Sequence, residues 1–272
     1  MNFEMLATTN MAATRKTASS IPPNLSVILA VHGFDICHEF DAAWYNTYIL
    51  EEKLQLKPIP IFGRSSAFSL LIGNTRHFWP VFLAWLQKEL EKDKALMDHP
   101  VDTYVHSIIE KIIASHFDGE TQYKIFWSDL SSGQQLVSMQ RVASVSGLCY
   151  HDNHTHLSIH PEFGPWLAFR SVVVLDRPFL TSPPPLIPCL LTATEKENAQ
   201  KAMAAALAAS DQTNLCKQLH GGSKNEDTRL AWVALRDCIM TGRNYRYSEG
   251  QLIYHYTKDT KVLMKELSQQ DA

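Results

Sequence analysis

The residues best suited to binding an anion are arginines that lie in or beside apolar segments. Arg170 interrupts the apolar run Trp166–Leu175, where a charge is costly unless a partner compensates it. Arg229 and Arg236 are seven residues apart and share one face of a predicted helix. Because guanidinium groups pair bidentately with carboxylates, these arginines could hold a small carboxylate ligand. Two alternatives stay open: a structural acidic partner for Arg170, and a solvated helix face for the other two.

A second group with possible chemistry consists of four histidines within ten residues. They are His151, His154, His156 and His160. Imidazole groups bind transition metals, but a predicted turn in this segment also favours ordinary solvated loop histidines.

Composition excludes several classes of protein. The 272 residues have 45% hydrophobic residues, which is ordinary for a globular protein. The formal net charge of −3 argues against nucleic-acid binding, but it leaves room for a local basic pocket for a small anion. The tract 178–194 holds five prolines, so we expect an extended linker there and no membrane helix. The cysteine count is odd and no CxxC occurs, which argues against disulfides and structural zinc and favours a reducing, cytoplasmic location.

Both helices and strands are predicted to position these residues. Helices are predicted over Asp41–Leu54, His77–Lys92, Pro100–His116 and about Asp227–Met240. Two more are predicted to start with capping boxes, at Thr194 with Glu197 and at Ser248 with Gln251. Strands are predicted over Ser26–Val31, Ala67–Ile72, Tyr123–Trp127, Gln135–Val145, Leu157–Ile159 and Trp166–Leu175.

The order of these elements indicates the fold class. The middle strands follow one another without intervening helices, which favours an α+β fold with a largely antiparallel sheet flanked by helices. A doubly wound parallel sheet would need crossovers of a dozen or more residues. We expect a single domain over residues 23–265, between a disordered tail at 1–22 and a short polar tail at 266–272.

Several short motifs follow one another in a recognisable order. They are Gly33-Phe34-Asp35, Ala43-Trp44-Tyr45-Asn46, Pro100-Val101-Asp102, Ile159-His160-Pro161, Phe163-Gly164, Trp166, Ala168-Phe169-Arg170, Arg236-Asp237, Arg246-Tyr247-Ser248-Glu249 and Gln251. In order and approximate spacing they resemble the cobalamin C-type (CblC) family of vitamin B12 processing proteins, the family of methylmalonic aciduria and homocystinuria type C.

The resemblance implies a flavin-reductase-like (nitroreductase-like) form of the α+β fold and two activities on one corrinoid. One is cyanocobalamin reductase (cyanide-eliminating), with electrons from reduced FMN or FAD. The other is alkylcobalamin dealkylase, in which glutathione takes the alkyl group. Expected partners are cobalamin, glutathione, the cobalamin D-type adaptor protein and methionine synthase, with a ligand-linked homodimer and no nucleic acid or membrane.

The cobalt would be held by the corrin, with no metal ligand and no catalytic side chain from the protein. Asp152-Asn153-His154 begins the DxHxxG pattern that supplies a histidine to cobalt in another class of cobalamin proteins. Leu157 stands where that pattern requires glycine, so the pattern is not met.

Matching motif by motif assigns the binding residues. Glutathione would be bound by Arg170, Arg236 and Lys261. Cobalamin would be bound by Asp129, Gln134, Gln135, Leu136, Val137, Arg141, Leu148, Cys149, Tyr150, Ser158, Phe169 and Tyr247. Arg141 replaces a histidine of the family. Two other functions stay open: a non-catalytic cobalamin carrier, and a flavin-dependent oxidoreductase of the same fold that binds no corrinoid.

Overall fold

An antiparallel sheet of four strands lies at the centre of this computed structural model, which describes residues 24–92, 95–117, 119, 121–129, 136–210 and 226–270. The strands are β1 (Ile36–Asp41), β2 (Phe68–Asn74), β3 (Tyr123–Trp127) and β6 (Ala168–Leu175), in the order β1-β2-β6-β3. A short hairpin pairs β4 (Tyr150–His151) with β5 (Ser158–Ile159). The predicted α+β fold with an antiparallel sheet is confirmed.

The described part of the chain also has nine α-helices and one short 3-10 helix, Arg243–Tyr245. The α-helices are α1 (Leu25–Val31), α2 (Ala42–Glu51), α3 (Phe78–Leu90), α4 (Pro100–His116), α5 (Met139–Val145), α6 (Ala193–Ala209), α7 (Glu226–Asp237), α8 (Glu249–Thr257) and α9 (Thr260–Gln270). None of these described helices is both long and apolar enough to cross a membrane.

Each face of the sheet is covered by a separate set of helices. Because side chains alternate along a strand, Leu70 and Val173 pack on one face against α1, α3 and α4. Leu71 and Val172 pack on the other face against α2 and α5. The two central strands, β2 and β6, are therefore apolar on both faces.

Two segments predicted as strands are helical. Ser26–Val31 forms most of α1, because Leu25 and Leu29 lie one turn apart and are both fully buried. The described part of Gln135–Val145 contains α5, which directs Val142 and Ala143 into the core. Packing of a helical face outweighed β propensity in both segments.

The start of α6 and the end of α9 also differ from the prediction. The capping box is formed by Thr192 and Glu195, two residues earlier than predicted, because the Glu195 carboxylate also accepts a hydrogen bond from the amide of Met240 at 2.8 Å. At the other end of the chain α9 continues to Gln270 and buries Leu267. Residues 266–270 thus belong to this helix, whereas residues 1–22 lie outside the described part.

Helices α6 and α7 form an antiparallel pair that is fastened at both ends. Besides the bond from Met240 to Glu195, the hydroxyl of Thr228 donates to the carbonyl of Ala209 at 2.8 Å. The indole nitrogen of Trp232 donates to Ser210 Oγ at 3.2 Å. This pair forms one wall of the site described next.

Candidate functional site

Two adjoining cavities open beside the first residues of β6. The sheet cavity, about 430 Å³, is lined by residues that include Trp127, Val137, Ser158, Phe169 and Arg236. The helix cavity, about 570 Å³, lies against α6, α7 and α8 and is lined by residues that include Met203, Leu207, Trp232, Arg236 and Tyr256. They share Gln140, Leu157, Arg236 and His255. Each volume is in the range typical of ligand sites, roughly 300–1,000 Å³.

A third, much smaller space of about 20 Å³ lies next to these cavities. This inner pocket is lined by Phe78, Trp79, Val101, Arg170, Tyr247, Gln251, Tyr254, His255 and Lys258. His255 lines the inner pocket and both cavities, so the three spaces meet at its side chain.

A bulge in the sheet accommodates the charge of Arg170. On β2, Ile72 pairs with Ser171 and Gly73 pairs with Phe169, which leaves Arg170 as the extra residue on β6. Bulges re-aim side chains and often occur beside active sites. A Cβ at Gly73 would lie 2.7 Å from the carbonyl oxygen of Ala168, so the close approach of the two strands requires glycine there.

The guanidinium of Arg170 has neutral partners. Its Nε donates to Asn74 Oδ1 at 2.6 Å, and its Cζ lies 4.9 Å from the centre of the Phe78 ring. Burial lowers the pKa of Arg170, and no carboxylate of the described residues lies within ion-pair distance of it. These contacts favour an anion anchor over a structural ion pair.

Arg236 also has no carboxylate partner in the part of the chain that the structure describes, although an aspartate follows it in sequence. Its Nη1 donates to the hydroxyl of Tyr256 at 2.6 Å, and its Cζ lies 5.5 Å from the centre of that ring. The carboxylate of Asp237 is instead bound by Arg246, at 2.8 and 3.0 Å. The Arg236 guanidinium is therefore available on the wall shared by both cavities.

The third cation is Lys258, which comes directly after α8. It has a left-handed backbone with φ of 54°, and its Nζ lies 5.7 Å from the centre of the Tyr254 ring. Burial, and then the nearby Arg170, lowers the pKa of Lys258. Among the described residues it has no ion-pair partner either. Arg170, Arg236 and Lys258 thus place three positive charges near His255. None of them has an ion-pair partner among the described residues, although the more distant carboxylate of Asp102, on α4, acts on Arg170 and Lys258.

Two residues that line these spaces carry buried hydroxyls without partners among the described residues. Ser158 Oγ, in the sheet cavity, and the hydroxyl of Tyr247, in the inner pocket, have no hydrogen-bond partner within the described residues. Since buried polar groups are nearly always paired, both hydroxyls fit a site that is completed by a polar ligand.

Comparison with known proteins gives a structural match. No protein-family profile matches this sequence, and no curated protein matches it by sequence. The structure is similar to that of a C. elegans B12-trafficking protein, CblC, described as a homologue of human MMACHC. The TM-score is 0.61 at 20% identity, over 88% of this chain and 92% of that chain. The two proteins share a fold.

The structure brings together only part of the residues predicted to bind cobalamin. Leu136, Val137, Ser158 and Phe169 line the sheet cavity, and Tyr247 lines the inner pocket. Gln134 and Gln135 lie outside the described residues.

The other predicted cobalamin residues have different contacts. Leu148 and Cys149 pack in the core around α5, and burial raises the pKa of the Cys149 thiol to about 12. Tyr150 pairs with β5 and donates to Asp152. Arg141 donates to the hydroxyl of Tyr48 and to Asn153. Asp129 pairs with His106.

The predicted glutathione residues are also divided. Arg170 and Arg236 lie beside the cavities, whereas Lys261 is exposed on α9 and is not part of the three linings. Arg229, the helical neighbour of Arg236, forms ion pairs with Glu249 and Glu226. The sequence analysis missed Lys258 and His255, for which only the polar and aromatic run at the end of α8 gave a signal.

The four clustered histidines do not form a metal site. No three His, Cys, Asp or Glu side chains in the described residues lie close enough to hold a metal ion. His154 and His156 are exposed, while His160 Nδ1 accepts the amide hydrogens of Glu162 and Phe163 in the turn before β6. His151 is buried, and neither of its ring nitrogens has a partner in the described residues.

Proposed function

We propose that this chain is a CblC-type protein that binds cobalamin and removes its upper axial ligand. The observation that carries the proposal is a group of three cations, Arg170, Arg236 and Lys258, that lie where the cavities and the inner pocket meet beside the sheet and have no ion-pair partner among the described residues. The corrinoid substrate occupies the sheet cavity and extends into the helix cavity. The carboxylates of glutathione bind the cations, with Lys258 in the role that the sequence assigned to Lys261.

The arrangement suits displacement of an alkyl group. The thiolate sulfur attacks the alkyl carbon on cobalt, a C–S bond forms, and the electron pair of the broken Co–C bond stays on cobalt, giving cob(I)alamin and a thioether. Guanidinium groups that hold the tripeptide beside the corrin make this bimolecular step nearly unimolecular, which can lower a barrier by roughly 7–11 kcal/mol.

We further propose that the protein also decyanates cyanocobalamin. We propose the location, the partners and the ligand-linked dimer that the sequence analysis expects. Reduced flavin, FMN or FAD, would supply the electron with which cyanide is released from the cobalt of cyanocobalamin. This reaction suits a flavin-reductase-like (nitroreductase-like) variant of the observed α+β fold. The protein works in the cytoplasm as one domain, passes its product to the cobalamin D-type adaptor protein and methionine synthase, and dimerises when ligand is bound.

The test is to mix the protein with methylcobalamin and glutathione without oxygen and to record the visible spectrum. The expected result is the cob(I)alamin band, formed faster than in glutathione alone. Cyanocobalamin with reduced flavin, followed in the same way, tests the second reaction. A protein that carries flavin but does not change the cobalamin spectrum would contradict the proposal and indicate a flavin-dependent oxidoreductase.

A non-catalytic carrier is the second candidate. It is favoured by the name of the similar structure, which describes that protein as a trafficking protein. Tight cobalamin binding with an upper ligand that survives both glutathione and reduced flavin would establish this function in place of the first.

A further inference from the structure

His255 occupies the point where the three spaces of the site meet. It lies in the last turn of α8 and lines the sheet cavity, the helix cavity and the inner pocket. Its ring is flanked by two tyrosines, with centroids 6.1 Å from Tyr247 and 4.9 Å from Tyr256. A group bound at the three cations therefore lies next to this imidazole.

The charges around His255 keep its imidazole neutral in the unliganded site. Burial lowers the pKa of His255 well below the usual value, and the positive charges of Arg236, Lys258 and Arg170 lower it further. These cations come from three sides: α7, the segment after α8, and β6. A neutral imidazole can accept a proton, whereas an imidazolium cannot.

We propose that His255 is the general base that takes the proton from the thiol of glutathione, and that the carboxylates of bound glutathione switch it on. This inference rests on the proposed use of glutathione. Without ligand, three positive charges oppose protonation of the ring. When two carboxylates pair with those cations, the positive potential at His255 falls and its affinity for a proton rises.

The proton transfer balances within one turnover. The S–H bond breaks, its proton moves to a ring nitrogen of His255, and its electron pair stays on sulfur as the thiolate. That thiolate forms the C–S bond, and the imidazolium returns its proton to solvent after the thioether leaves. A free thiol with a pKa near 8.5 is mostly protonated at neutral pH, so a positioned base increases the reactive fraction.

The first experiment needs no corrinoid. The ultraviolet absorbance of the thiolate is recorded at pH 7 with saturating glutathione, for the native protein, His255→Gln and His255→Phe. His154→Gln, in an exposed loop, is the matched control. We expect the native protein and the control to ionise bound glutathione, and both His255 variants to bind glutathione without ionising it. Equal thiolate absorbance in all four proteins would overturn the proposal.

The second experiment separates a base from a structural residue. Below the pKa of the thiol, dealkylation of methylcobalamin by the His255 variants should rise about tenfold per pH unit, because solution thiolate must replace the base. The expected loss is about 100-fold at pH 7 and only a few-fold at pH 9. The selenol analogue of glutathione keeps both carboxylates and is already ionised at pH 7, so it should restore the rate. A loss that is equal at every pH and with the selenol would instead show a structural role and refute the proposal.

The two experiments distinguish this inference from the proposed function. Ionisation that depends on His255, in a protein that leaves methylcobalamin intact, would support the base and contradict the dealkylase. Dealkylation by native protein, with a pH profile unchanged in His255→Gln, would support the dealkylase and contradict the base.

Discussion

Gly164 and Gly242 lie against each other so closely that neither position has room for a side chain. A Cβ on Gly164 would lie 1.9 Å from the carbonyl oxygen of Thr241, and a Cβ on Gly242 would lie 2.1 Å from the carbonyl carbon of Phe163. Both glycines have left-handed backbones, with φ of 57° and 75°. This contact fixes the turn before β6 against the segment that leads to Tyr247, and so sets Arg170 relative to α8.

Replacing Gly164 by alanine should therefore unfold part of the site. We expect Gly164→Ala to lower the free energy of unfolding by about 2–5 kcal/mol, from the left-handed backbone and the overpacking together. Gly63 is the matched control, because its φ is 74° and nothing lies within 4 Å of its Cβ position. Gly63→Ala should cost only about 1–2 kcal/mol. Urea unfolding measures the free energy of unfolding of both variants. Equal losses in the two variants would contradict the close contact between Gly164 and Gly242.

The two arginines of the site should affect glutathione more than cobalamin. Arg170→Gln and Arg236→Gln should each weaken glutathione binding by about 1.5–3 kcal/mol, since each removes a charge-assisted hydrogen bond. Cobalamin affinity should change much less. Arg64→Gln is the control, because Arg64 pairs with Asp176 at the surface. Calorimetric titration with each ligand compares the loss of glutathione affinity with the loss of cobalamin affinity. Equal losses of both affinities would contradict the anion-anchor role.

The unpartnered hydroxyl of Tyr247 should act in opposite directions on stability and binding. Tyr247→Phe removes a buried hydroxyl that has no hydrogen-bond partner among the residues that the structure describes, so the unliganded protein should gain about 1 kcal/mol or more in stability. Glutathione affinity should fall, because the ligand loses a hydrogen bond.

Tyr245→Phe is the comparison, since the Tyr245 hydroxyl already donates to Glu162 at 2.5 Å. It should leave glutathione affinity unchanged. The melting temperature tests the change in stability, and titration with glutathione tests the change in affinity. A Tyr247→Phe protein that is less stable without ligand would contradict the prediction.

His151 should make the fold sensitive to acid. Burial, and then the charge of Arg141, lowers the pKa of His151 to about 4, while the unfolded chain has a histidine pKa near 6.5. The unfolded state therefore binds the proton more readily. The stability from neutral His151 is complete above about pH 6.5 and is lost as the pH falls towards 4, by up to about 3 kcal/mol.

The substitution His151→Leu should remove this part of the acid sensitivity. The variant should gain stability relative to the native protein at pH 5, and gain less at pH 8. His154→Gln, an exposed neighbour, should follow the native curve. Urea unfolding across pH measures this, and parallel curves for the native protein and His151→Leu would disprove the assignment.

Local patterns predicted the elements that have strong start signals. The helix at Pro100–His116 and the strand at Tyr123–Trp127 have the predicted bounds, because a proline at the first helical position and a run rich in aromatic residues act within one segment. Strand β1 was missed, since its polar side chains at the sheet edge hide its pairing with β2. The capping box moved to Thr192 because Glu195 is also bound by Met240, a contact far away in sequence.

Site residues could be predicted from the sequence where a charged residue interrupts an apolar segment or matches a family motif. Arg170 stands out in an apolar strand, and Arg236 was matched by its motif. Neither His255, in α8, nor Lys258, directly after it, conflicts with its local sequence. Their roles arise only because α7, α8 and β6 meet. For the same reason the sequence could not show that Arg229 and Arg246 are occupied by carboxylates while Arg236 is not.

The hydrogen bonds at both ends of the α6–α7 pair affect how a large ligand can enter the site. Because hydrogen bonds link both ends of that pair, we expect the wall that carries Met203, Trp232 and Arg236 to move as one unit. The motion that opens the site is then a swing of both helices relative to the sheet. Any such swing carries the Arg236 guanidinium with it, so widening the entrance and withdrawing one of the three anchoring charges are a single motion.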